Sequence, residues 1–235
     1  MDLFTFGNVN SNDYGIWLFD LNTDTTPESM AQEINIPGRN GALLMENHYF
    51  QNVEHRYMGV IYEDASVRME HFRSAMLAST GYLRLEDSIH PEEFYIARYM
   101  GGLEPKLSPD RKMVKFAIEF SRKPQRYLKL GEKEFTISNN GVLKNPTPFD
   151  SQPLITVGGY GTLLINGVSV TIQDYGGSYI TIDSELMDCI SAGINANQYV
   201  TFQNSKFPAL RPGDNGFTYS GNITSVKVVP RWWML

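Results

Sequence analysis

The side chains able to do chemistry in this sequence are few and scattered. Its histidines are His48, His55, His71 and His90, and it has a single cysteine, Cys189. His48 and His55 share a Tyr-rich stretch and His71 falls on a helical pattern, so none has the close spacing of a zinc motif. Cys189 has no second thiol to join it in a metal site or a disulfide. Carboxylate pairs occur at Glu86-Asp87 and Glu92-Glu93. Neighbours along a strand point to opposite faces, so neither pair can present an acid and a base to one substrate. Both read as solvated charges beside a turn. No Gly-x-Ser-x-Gly elbow, Walker loop or Gly-x-Gly-x-x-Gly after a strand is present. Gly158-Gly159-Tyr160-Gly161 lies between short strands, without the following helix that would hold a phosphate. It reads as a turn. The sequence therefore assigns no catalytic residue, no metal ligand and no cofactor, and the chain is expected not to be an enzyme.

Three further segments stand out. The basic run Arg122-Lys123-Pro124-Gln125-Arg126 is short and isolated in a chain of net charge −6. It reads as a solvated exit from a strand, and nucleic acid is not the expected partner, since phosphate binding needs clustered Lys and Arg. Pro212-Gly213-Asp214-Asn215-Gly216 reads as a turn and lacks the carboxylates of a dedicated calcium loop. Pro230-Arg231-Trp232-Trp233 places tryptophans where they need something to dock on. The chain's own sandwich is the first expectation and an interface the second.

The elements that must position these groups are mainly β. Hydrophobic residues make up 42% and charged residues 20%, the balance of a chain that folds around a core. The opening MDLFTFGNVNSNDYG has no basic start and apolar run, and no stretch approaches the ~20 apolar residues of a membrane helix. Folding in a cytoplasm, without membrane insertion, is expected. A strand at Tyr14 to Phe19 is entered through a polar turn, and Asn22 to Glu28 has little reason to be buried. Glu33 to Ile36 alternates as a half-buried strand does, and with Pro37-Gly38-Arg39-Asn40-Gly41 and Ala42 to Met45 it predicts a β-hairpin. Pro37-Gly38 suits a type II turn and Asn40-Gly41 a primed one.

Tyr57 to Tyr62 predicts another strand, and after Asp64 the period changes to that of a helix. Val67, Phe72, Ala75 and Met76 share its apolar face, Asp64 or Ser66 caps it and Gly81 ends it. Strands follow at Tyr82 to Leu85, Glu93 to Tyr99 and Met113 to Phe120, the last with Val114, Phe116, Ile118 and Phe120 toward a core. Composition shifts near residue 132, where a domain boundary is placed (1–132 and 133–235). Beyond it short strands alternate with turns at Leu154 to Val157, Thr162 to Ile165, Val168 to Ile172, Tyr179 to Asp183, Tyr199 to Phe202 and Ile223 to Val229. Asn166-Gly167 is the strongest local hairpin signal, and the pattern predicts a β-sandwich.

Several segments, taken in order, resemble a known family. They are Ile36-Pro37-Gly38-Arg39-Asn40-Gly41, Phe120-Ser121-Arg122-Lys123-Pro124-Gln125-Arg126-Tyr127, Asn140-Gly141 with Asn145-Pro146, and Ile165-Asn166-Gly167. Ile180-Thr181-Ile182-Asp183-Ser184-Glu185, Phe207-Pro208-Ala209-Leu210-Arg211-Pro212-Gly213-Asp214-Asn215 and Pro230-Arg231-Trp232 continue the series. Together they resemble the distal tail (Dit) proteins of long-tailed, non-contractile phages of Gram-positive bacteria. The resemblance implies an N-terminal β-sandwich-like domain with a hairpin and one helix that forms a hexameric ring. It also implies a C-terminal galectin-like β-sandwich projecting outward. Such a ring is a baseplate component of the virion tail tip, assembled in the host cytoplasm. It joins the tail tube protein to the tail-associated (Tal) protein and, in some phages, carries receptor-binding proteins.

On this reading Gly38, Arg39, Asn40, Gly41 and Leu43 on the hairpin, with Arg68 and Arg73 on the helix, contact neighbouring copies. Tyr175, Tyr179 and Tyr199 form a docking surface on the outer domain. The second domain has no room for the long insertion of some relatives. The alternative is a carbohydrate-binding module in which those tyrosines stack on host cell-wall polysaccharide. A galectin's sugar site is built around a stacking Trp, and here Trp232 and Trp233 fall at the end.

Overall fold

The computed structural model describes residues 3–19 and 25–235, the side chains of residues 47 and 48 excepted. The expectation for Asn22 to Glu28 thus lies partly outside the described residues, as does the His48 side chain. The chain forms two compact units, one of Met1–Arg126 with Leu235 and one of Tyr127–Met234. The division falls upstream of the compositional shift near residue 132. The architecture is mainly β, with antiparallel pairing throughout the registered strands.

In the first unit, one sheet runs in the order Val9–Asn10, Phe4–Phe6, Leu83–Asp87, Glu93–Tyr99, Val114–Leu128, Val53–Ile61, Ile16–Phe19. The short strand Lys106–Leu107 adds to Val114–Leu128 beyond this path. Phe4 and Tyr57 sit four strand steps apart, about 19 Å in a flat sheet, yet their rings stack at 5.3 Å. The sheet must therefore curl back on itself, which makes the unit sandwich-like. Alternation drives this closure, since Val114, Phe116, Ile118 and Phe120 all point inward and are buried.

The helix Ala65–Ala78 covers the core with Ala65, Met69, Phe72 and Met76. Its face differs from the sequence expectation. Phe72 and Met76 are buried, Ala75 is half-buried, and Val67 is 59% exposed. Counting from Phe72, the positions three residues before and four after are Met69 and Met76, and this stripe leaves Val67 on the outer side. Asp64 does stand at the N-terminus, but with φ 47° and no side-chain cap. The helix also ends before Gly81, at Ser79, whose N–H donates to Met76 O at 3.2 Å. The strand expected at Tyr14 to Phe19 begins at Ile16, because Ser11–Tyr14 forms a 3-10 turn closed by Gly15 at φ 65°, and two short strands, Phe4–Phe6 and Val9–Asn10, precede it.

The second unit is a sandwich of a six-stranded and a five-stranded sheet. The first runs Phe135–Ile137, Ser225–Val229, Leu154–Gly158, Tyr179–Asp183, Asp188–Ser191, Ile194–Asn195. The second runs Gly141–Asn145, Gly213–Gly221, Gly161–Ile165, Val168–Ile172, Val200–Phe202. Ile155, Val157, Ile180, Ile182, Val226 and Val228 of one meet Leu163, Ile165, Val170, Ile172 and Phe217 of the other in a single core. Asn166 and Gly167 both take positive φ, at 52° and 80°, as a type I′ turn requires. Gly213 to Gly216 is not a turn, as the sequence suggested, but the start of the Gly213–Gly221 strand. Its register against Gly141–Asn145 supplies the ladder partners that turn-forming residues would otherwise leave unused.

Trp232 is buried in this core and packs on Phe135, while Trp233 stacks on Phe149 at 4.6 Å. The chain's own sandwich is their dock. Beside them Arg231 makes a fork to Asp183, with Nη1 donating to Oδ1 at 2.7 Å and Nη2 to Oδ2 at 2.9 Å. The guanidinium hydrogen bonds hold the Asp183 carboxyl below the usual carboxylate range against the opposing effect of burial. A carboxyl whose proton is held less tightly in the folded state stabilises that state above the unfolded carboxylate range. That contribution is lost as pH falls through the folded value. Arg231→Met is therefore expected to cost on the order of 2 kcal/mol at neutral pH and to flatten the acid limb of the stability curve. Urea melts between neutral pH and pH 3 check this; an unchanged acid limb would exclude the pair as its source.

Cys189 lies wholly inside this sandwich, and burial pushes its thiol up to about 12.

Candidate assembly interface

Ser29–Asn35 and Ala42–Phe50 form a two-stranded sheet of their own. At its tip Arg39 N donates to Ile36 O at 3.2 Å across Pro37-Gly38, with Gly38 at φ 81°, a type II turn as expected. Asn40 is not among the residues with positive φ, so Asn40-Gly41 is not a primed turn; Gly41 alone takes φ 84°. The type II turn has already reversed the chain, leaving the next residues to lead it into Ala42.

Glu33 to Ile36, expected to be half-buried, is instead exposed but for Ile34, which is intermediate, and every described position of Ala42–Phe50 is exposed as well. The pattern is present, but among the described residues no second layer covers it. Cross-strand partners share a face. Ile34 with Leu43 and Gln32 with Met45 make one face apolar, and Glu33 with Leu44 and Ala31 with Glu46 make the other acidic around a leucine. Leu43, Leu44 and Met45 are 46%, 52% and 48% exposed, and Tyr49 is 71% exposed. A strand of nine residues reaches about 30 Å. Isolated two-stranded ribbons are marginal in water, and soluble monomers rarely show contiguous apolar surface of this kind. The ribbon thus exposes apolar side chains on an element that has little stability of its own.

The expected contact residues fall into two groups. Gly38, Arg39, Asn40, Gly41 and Leu43 are together at the exposed end of the ribbon. Arg68 and Arg73 are on the helix, paired with Glu63 at 3.9 Å and Glu70 at 3.8 Å. Such exposed pairs contribute little to stability. Arg68 also packs on Gly15, where a Cβ would collide with its guanidinium. The same helix exposes Val67 and Leu77.

On the second unit, the rings of Tyr175 and Tyr199 meet at 6.2 Å, both half-buried against the core, and burial raises the Tyr175 phenol. Tyr179 is exposed. More exposed apolar groups there include Leu186 and Met187 in a turn and Ile194 on an edge strand, none of which the sequence pattern singled out.

Two groups of charges are placed differently from expectation. Asp87 is not a solvated charge but is buried, accepting a hydrogen bond from Tyr57 Oη at 2.7 Å and from the backbone N–H groups of Ile89 and His90. Burial and the neighbouring carboxylate raise the Tyr57 phenol well above its ordinary value. Asp87-Ser88-Ile89-His90 is a local Asx-type signature that could have shown this in the sequence. Glu93 pairs with Arg126 at 3.3 Å, and Glu86 with Arg84. Arg122 does not leave the strand into solvent. It lies within Val114–Leu128, buried, its guanidinium 4.5 Å from the Tyr95 ring centroid. His55 is buried with its ring 4.5 Å from that of Tyr57, and no cluster of three metal-ligating side chains occurs among the described residues. No described helix is long and apolar enough to cross a membrane.

No family model and no curated protein matches the sequence. Among solved structures, the SPP1 Dit protein, a paradigm of the hub adsorption apparatus in phages infecting Gram-positive bacteria, aligns with a TM-score of 0.74. Its sequence identity is 12%, and the alignment covers 100% of both chains. The chain has the Dit fold. Two structures of the phage P2 baseplate in its activated conformation, one with Ca and one with Sr, align with TM-scores of 0.47 and 0.48. Each has 8% identity and 97% coverage of both chains. The fold expected from the ordered turn segments is the one that the alignment with the SPP1 Dit protein supports.

Proposed function

We propose that this chain is a structural hub of a phage tail tip. Its copies close head-to-tail into a homohexameric ring through the first unit, a contact that closes when the rotation permits. The ring lies between the tail tube protein and the tail-associated (Tal) protein, in a virion assembled in the host cytoplasm. The second unit, a galectin-like outer domain, is the docking surface for receptor-binding proteins. The reading is carried by the likeness to the SPP1 Dit protein, which leaves no part of either chain unmatched. The exposed ribbon supports it, because an amphipathic two-stranded element finds its missing layers in neighbouring copies.

Light scattering of the purified chain followed by negative-stain imaging tests this. A hollow six-fold ring is expected. A stable monomer that binds cell-wall polysaccharide would overturn the reading and make the second unit a carbohydrate-binding module.

A further inference from the structure

We infer that the acidic face of the ribbon seats in a basic groove on the first unit of a second copy; the inference rests on the ring reading above. That face presents Leu44 between Glu33 and Glu46. The groove, about 360 Å³, lies on the outer side of the strands Val53–Ile61 and Val114–Leu128 and is also lined by Gly101, Gly102 and Lys106. Its floor is Met58 and Ala117, which face each other in register.

Charge supplies the complementarity. Lys106 and Lys115 stand directly opposite one another across neighbouring strands, an arrangement that costs stability unless an anion sits between them. Glu119 is already matched by Arg56 at 3.5 Å. The two lysines therefore outnumber the one remaining carboxylate of the groove, Glu104. In a chain of net charge −6 this is a local excess of positive charge. A leucine flanked by carboxylates fits an apolar floor flanked by ammonium groups, and the same ribbon leaves its other face, Ile34, Leu43 and Met45, for a second apolar contact. The ribbon's reach of about 30 Å lets it leave its own unit to find this groove.

The test uses full-length chains with exchanged charges. Glu33→Lys with Glu46→Lys is made in one variant and Lys106→Glu with Lys115→Glu in another. All four side chains are exposed, so each variant is expected to melt like the parent. Each alone should weaken assembly on the order of tenfold to a hundredfold. An equimolar mixture should restore it, because every ribbon then meets a groove of opposite charge. Sedimentation velocity reads all three samples. If the parent assembles and the variants assemble equally well, the groove is not the receptor and the ring reading stands. Variants that fail alone and also in mixture would overturn the pairing. A parent that stays monomeric at every concentration removes this inference and the ring together. Retention of duplex DNA by the parent, lost in the lysine variant with assembly unchanged, would assign the groove to phosphate instead.

Discussion

Phe72→Asp is expected to abolish folding of the first unit while the second still melts on its own core. Phe72 is 0% exposed and meets Phe4 at 6.2 Å, Tyr14 at 5.4 Å and Phe116 at 5.6 Å. Deleting a buried phenylalanine costs roughly 3–5 kcal/mol, and burying an unpaired carboxylate adds several more. A domain's whole stability is about 5–15 kcal/mol, so the sum is comparable with all that the unit has. Calorimetry should show one transition lost and one kept, and light scattering should show no ring. Phe72→Leu, which keeps an apolar side chain, should cost much less. If the aspartate variant melts and assembles like the parent, the helix does not close this core as described.

Asn215→Ala should be the most damaging single change in the second unit outside its apolar core. Asn215 is 0% exposed and fully engaged. Its Oδ1 accepts from Asn166 Nδ2 and Arg211 N, each at 2.8 Å, and its Nδ2 donates to Arg211 O at 2.8 Å and Gly213 O at 3.0 Å. Asn166 Oδ1 in turn accepts from Gly216 N at 3.0 Å, so the pair of amides ties the Asn166-Gly167 hairpin to the neighbouring strand. Alanine would leave two donors and two acceptors without partners, at roughly 1–3 kcal/mol for each that water cannot reach. A loss of about 3–4 kcal/mol corresponds to on the order of 15 °C in melting temperature for a unit of this size. Asn215→Asp keeps the acceptor side only and should fall between. A melting temperature within a few degrees of the parent would show that the amide is replaceable by solvent.

Much of this was legible in the residues. Val114 to Phe120 announced its buried face by alternation, and Asn166-Gly167 announced its turn, because in both cases the deciding interactions are between near neighbours. The order of the turn segments pointed to the Dit fold although no single turn was distinctive. What the sequence concealed depends on distant partners. Asp87 and Arg122 look like surface charges until Tyr57 and Tyr95, which lie far from them in the chain, are folded against them. Asn215 looks like a turn residue because asparagine beside glycine usually is one, and only the ladder with Gly141–Asn145, distant in the chain, places it in a strand. The ribbon failed in the opposite way. Its alternation marks two distinct faces, but alternation cannot say whether the same chain covers either of them, and the described residues leave both exposed.

Cys189 makes the molecule convenient to instrument. It is the sole thiol in the chain, shut inside the sandwich and kept protonated far above neutral pH, so maleimide reagents, which need an accessible thiolate, will pass it by. A cysteine introduced at Asn40 on the ribbon tip would be the one reactive handle on an otherwise native chain. A dye placed there would report ribbon docking by its change in polarity, without first removing a native cysteine.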